Sequence, residues 1–88
     1  MQILRYQIQM PEMVNPLARA YMGDTIYFDI DDDTPVLKGD FVIAIDRDEK
    51  PCIAYVEQLE PDIVLTTSHA TNGALSVYGK VVSIVHDL

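Results

Sequence analysis

The chain has little that is basic, reactive or membrane-spanning. It carries a single cysteine, Cys52, so no disulfide can close within it, in keeping with a reducing compartment. Lysine and arginine number six against 14 acidic residues, for a net charge of −8. That charge repels phosphate backbones, so direct contact with nucleic acid is not expected of these residues. No run approaches the roughly 20 apolar residues of a membrane span. No basic-then-apolar leader opens the chain, and a cytoplasmic location without membrane contact is the expectation. Tryptophan is absent and phenylalanine occurs twice. There is no low-complexity tract and no linker, and 88 residues form one domain, 1–88.

What is present is apolar content in short runs. Hydrophobic residues make up 49% of the chain, enough for a folded globule. Arg5–Met10 alternates polar and apolar side chains and reads as a first, edge-like strand. Asn15-Pro16 is a helix-start signal, with a short helix expected over residues 16–22 and stopped by Gly23. Gly23-Asp24 and Gly39-Asp40 are two matching turn signals. Each opens a strand, Thr25–Ile30 with Ile26, Phe28 and Ile30 on one face, and Phe41–Ile45, apolar on both faces and so central. Asp46–Pro51 is a charged hairpin loop. Cys52–Glu57, Ile63–Thr67 and Leu75–His86 follow as strands, with a strong turn at Asn72-Gly73 and a close backbone approach signalled by Gly79. The pattern predicts an all-β fold, a small coiled barrel or sandwich of about six strands.

The order Asn15-Pro16, Gly23-Asp24, Gly39-Asp40 and Gly79-Lys80-Val81-Val82 resembles the C-terminal domain of the LexA and phage-repressor family of self-cleaving regulators, related to UmuD-type proteins and signal peptidases. In that family a Ser-Met-x-Pro segment carries the nucleophile and a later hairpin strand carries a catalytic lysine. The resemblance therefore implies a nucleophile at Met13, counting back from Pro16, and a base near Ala54 or Tyr55. Both positions depart from the pattern, and the stretch from Pro16 to Gly23 is longer than usual. A Ser–Lys dyad needs a hydroxyl nucleophile and an amine whose pKa burial has lowered. Methionine, alanine and tyrosine supply neither, so no catalysis of this kind is expected.

Other constellations read more plainly. Ser68-His69 suggests a nucleophile and base, yet adjacent residues on an extended segment point to opposite faces. His86 is distant in sequence. Asp29, Asp31 and Asp33, with Asp40 beyond, faintly echo a calcium loop. Thr34 stands where glycine is needed and Pro35-Val36-Leu37 follows, so a solvated acidic turn is expected, with contact to a basic partner as an overlapping use. Asp46–Lys50 is a charged hairpin tip, and Cys52 a small core residue. No cofactor and no metal are expected. The five tyrosines suit half-wet interfaces. The final strand is long and apolar, and Val77, Tyr78, Val82 and Ile84 are candidates for pairing two copies along a free edge, against the alternative of a central core strand.

Three functions follow. The first is a non-catalytic oligomerisation domain of a phage-type or LexA-like repressor, a homodimer or higher oligomer. It would reach DNA only through a helix-turn-helix that these residues lack, in a longer regulator or a separate partner. The second is a small acidic β-barrel binding protein for a peptide or basic protein. The third is an active self-cleaving peptidase using Ser68, Ser76 or Ser83 with Lys38, Lys50 or Lys80.

Overall fold

The computed structural model describes residues 1–69 and 73–86. Six antiparallel strands form a single sheet: β1 (Ile3–Gln7), β2 (Thr25–Asp29), β3 (Phe41–Ile45), β4 (Pro51–Gln58), β5 (Val64–Thr67) and β6 (Ser76–Val85), in the spatial order β1-β2-β6-β3-β4-β5. Helical structure among the described residues is confined to two 3-10 turns, Pro11–Met13 and Pro16–Ala18. No helix of the described residues is long and apolar enough to cross a membrane.

The two Gly-Asp signals fold into the same turn twice. Gly23 and Gly39 take φ of 89° and 93°, the left-handed region that costs glycine nothing. Asp24 N–H donates to Tyr21 O (3.0 Å) and Tyr21 N–H donates back to the Asp24 carboxylate (2.9 Å). Asp40 and Leu37 repeat this pair of bonds at 3.1 and 2.7 Å. The flanking chain answers identically. Ile8 exchanges bonds with Gly23 and Asp24, and Val56 with Gly39 and Asp40, all at 2.8–2.9 Å. Ile8 and Val56 are both buried, so each turn is locked from its polar and apolar sides.

Each face of the sheet carries a core. On one face Ile26, Phe28, Ile43 and Ile53 pack beneath Ile8, Met13 and Ala20 from the β1–β2 connection. On the other, Val42, Ala44, Cys52, Ala54 and Val56 pack with Val36, Leu59, Leu65 and Leu75. Phe41–Ile45 is thus apolar on both sides because both are covered.

Several expectations need correction. The helix over 16–22 is a single turn ending at Ala18, because Arg19 adopts the left-handed region (φ 56°) and Ala20 N–H returns to Asn15 O at 3.0 Å. The first strand lies nearer the amino terminus than Arg5–Met10. Ile8 is the last residue bound to the Gly-Asp turn, and Pro11 opens a 3-10 turn. The final strand has no free edge, since β2 and β3 flank it. Strand addition along it is therefore blocked. Val77, Tyr78 and Val82 stay exposed on its faces, while Ile84 is half-buried against the first core. Val82 is skipped in the β2 register and Tyr78 in the β3 register, two bulges in one strand. At Gly79 a Cβ would meet Phe28 Cδ2 at 2.9 Å and Asp29 O at 3.0 Å, the close approach that the glycine signals. The turn signal at Asn72-Gly73 reaches outside the described residues at Asn72.

Candidate functional site

The β1–β2 connection folds back over the sheet and is pinned there by one buried side chain. Asn15 is 2% exposed. Its Nδ2 donates to Ile53 O in β4 at 2.8 Å, while its Oδ1 accepts the Leu17 and Ala18 amides at 3.0 and 3.3 Å. One residue thus caps the second turn and holds it against β4. The cap signal in Asn15-Pro16 is legible in sequence; the donor to Ile53 O is not.

Two residues earlier, Met13 is buried in the first turn, which packs on β4. The position implied for a nucleophile and the strand implied for its base are therefore neighbours. Ile53 shares Met13's core, and Ala54 belongs to the core of the opposite face. Tyr55 packs its ring against Phe41, with centroids 5.4 Å apart.

Beside Met13 opens an apolar cleft of about 210 Å³. Tyr6 and Phe28 line it from β1 and β2, Ile43 and Ile45 from β3, and Pro51 from β4. Tyr78 enters from the β6 bulge, its ring 6.0 Å from that of Phe28. The bulge re-aims this tyrosine, which nothing in the sequence reveals. Glu49 is the charged lining residue, and it sits at φ 62°, a conformation that side chains other than glycine rarely adopt. The cleft is smaller than the roughly 300–1,000 Å³ of drug-sized ligand sites and suits one or two apolar side chains.

The remaining candidates do not line this cleft. Ser68 and His69 do not point apart. Ser68 Oγ donates to Val14 O at 2.8 Å and His69 Nε2 bonds the same carbonyl at 3.1 Å, because the chain bends after β5. Among the described residues no serine–lysine bond forms. Lys80 Nζ donates to Pro35 O (3.2 Å) and lies 3.4 Å from Asp40, while Ser76 and Ser83 lie along β6 opposite Ile45 and Tyr27. Lys38 and Lys50 are exposed. His86 Nδ1 meets the buried Asp24 carboxylate at 2.8 Å.

Asp29 and Asp31 of the acidic turn accept backbone amides. The carboxyl of Asp29 is held down to about 2, first by the Gln2 amide, then by the Thr34 hydroxyl and the Asp31 amide. Asp31 is also lowered, by the terminal amine of Met1 at 2.9 Å and then by the Asp33 amide. Asp40 lies apart, bonded to the Leu37 amide. No group of three His, Cys, Asp or Glu side chains among the described residues could hold a metal. Cys52 is buried at the second core, and that burial, with Asp46 nearby, raises its thiol pKa.

Compared with known proteins, the chain matches no family model and no curated sequence.

Proposed function

We propose that this chain is a non-catalytic protein-association domain of the phage-repressor type, working by assembling copies of itself. The observation that carries the reading is Met13. It lies buried on β4 beside an apolar cleft, where peptide cleavage of the family's kind would need an exposed hydroxyl next to a lysine amine. The thioether of Met13, the methyl of Ala54 and the phenol of Tyr55 supply neither that nucleophile nor that base. Any DNA binding would come from a helix-turn-helix joined to or recruited by the assembled copies, whose linkage raises their joint affinity through effective concentration. The test has two arms. Sedimentation over a concentration series should show reversible association. Prolonged incubation at alkaline pH, read by mass spectrometry, should return an intact chain. Autocleavage refutes the non-catalytic part, and a monomer at every concentration refutes assembly.

A second reading is an acidic module that binds a basic, apolar peptide, and Glu49 favours it. A strained acidic residue lining an apolar cleft, on a chain of net charge −8, suits a segment that pairs a bulky apolar side chain with a lysine or arginine. Titration with a Leu-Lys-containing synthetic peptide should then give binding that weakens with added salt and is lost in Glu49→Gln. Salt-independent or absent binding refutes it.

A further inference from the structure

The apolar cleft does not end at Tyr78. That ring is a wall shared with a second hollow of about 130 Å³, whose lining includes Ile30, Asp32, Val36, Val77 and Lys80. Its origin lies in the ladder. The last β2–β6 pair is Asp29 opposite Lys80, so β6 from Ser76 to Gly79 runs on without a β2 partner, while the chain after Asp29 turns away. Val77 and Tyr78, exposed at 39% and 46%, stand at the gap.

The lining is of two kinds. Ile30, Val36 and Val77 are apolar. Of the charged groups, most are engaged. The oxygens of Asp29 take the Gln2 and Asp31 amides and the Thr34 hydroxyl, and those of Asp31 take the Met1 amine and the Asp33 amide. Lys80 Nζ is held by Pro35 O and Asp40. Asp32 is exposed, and its carboxylate makes no hydrogen bond or ion pair among the described residues. Apolar walls beside a free carboxylate match the lysine side chain, an alkyl stem ending in a cation. Glu49 and Tyr78 stand on opposite sides of β3, since Ile45 pairs with Pro51 on one flank and with Ser76 on the other. A segment that seats an apolar side chain in the cleft therefore meets Glu49 on one side and, past the Tyr78 ring, Asp32 on the other. Side chains two residues apart on an extended segment share a face about 7 Å apart, enough to straddle one ring. We infer that the hollow behind Tyr78 is a lysine subsite, and that its partner is an extended basic peptide whose lysine lies two residues from the apolar anchor, on the side away from the basic residue facing Glu49. The net charge of −8 favours approach of such a partner. The inference rests on the peptide-binding reading above and adds to it a second anchor and a spacing.

The experiment titrates the isotope-labelled full chain with capped tetrapeptides, followed by NMR. Lys-Ser-Leu-Lys should bind about 2–5-fold more tightly than Gln-Ser-Leu-Lys, the worth of one exposed ion pair. It should hold the same advantage over Ser-Lys-Leu-Lys, which carries equal charge one residue out of place. Its added lysine should shift the amides of residues 31–34 and 77–79. Asp32→Asn should abolish the advantage and leave Gln-Ser-Leu-Lys binding as it was, while Asp62→Asn, an exposed acid between β4 and β5, preserves it. Binding that depends on Glu49 but ignores Asp32 and the lysine position overturns the subsite and leaves the peptide reading standing, as does an equal loss in Asp62→Asn. Lys-Ser-Ser-Lys binding as tightly as Lys-Ser-Leu-Lys, or no binding by any of these peptides, overturns both.

Discussion

Asn15→Ala is the substitution that most directly tests how the cleft is built. The side chain removed makes three hydrogen bonds, at 2.8, 3.0 and 3.3 Å, and is 2% exposed. Losing the donor to Ile53 O withdraws a partner from a buried carbonyl, at a cost of about 1–3 kcal/mol. Losing the acceptor uncaps the 3-10 turn, at about 0.5–2 kcal/mol. The two losses occur in one side chain and overlap, so about 2–4 kcal/mol is expected. In a domain this size each kcal/mol lowers Tm by about 4–8 °C, so thermal unfolding followed by circular dichroism should fall by roughly 10–25 °C. Asn15→Asp separates the halves. It keeps the acceptor but loses the donor, and near neutral pH it sets a carboxylate against the Ile53 carbonyl. It should be at least as damaging as alanine. If Asn15→Ala cost less than about 1 kcal/mol, the claim that this residue holds the β1–β2 connection on β4 would be wrong.

The other predictions concern the sheet, the acidic turn and the cleft. Gly79→Ala should destabilise by about 1–3 kcal/mol in urea titration, because its Cβ would come within 3.0 Å of the Phe28 ring and the Asp29 carbonyl; an unchanged or raised midpoint refutes the close packing. Asp29 has a folded pKa of about 2, below its unfolded value. The stability this contributes is full above the unfolded value and is lost as pH falls through about 2, so Asp29→Asn should flatten the acid limb of a stability-versus-pH curve; an unchanged limb refutes it. Glu49→Gly should raise stability by about 0.5–1 kcal/mol, the left-handed penalty less the added freedom of the unfolded chain; a loss would show that its side chain holds the hairpin.

Strand identity was legible where the pattern was local. Ile26 and Phe28 alternate into the core as their spacing predicts, and Phe41–Ile45 is a strand with those bounds. Gly79 announced its own crowding. The helix at 16–22 failed because one residue, Arg19, left the right-handed region to let Ala20 rejoin Asn15, a tertiary demand invisible to propensity. Ser68 and His69 met on one carbonyl because alternation holds only within a strand, and both lie beyond β5. The cleft was not readable at all. Its walls come from Tyr6, Phe28, Ile43, Pro51 and Tyr78, which only the strand order and a bulge bring together. The interior position of the final strand was hidden for the same reason, since hydrophobic period fixes a face and says nothing about lateral neighbours.

That strand order carries a consequence for folding. β2 and β3 never touch as ladder partners; each pairs with β6. Without residues 76–85 the ladder would divide into a β1–β2 pair and a β3–β4–β5 meander, each with an unpaired flank. Joining them through the last strand requires contacts of high sequence separation, the kind of pairing that slows folding.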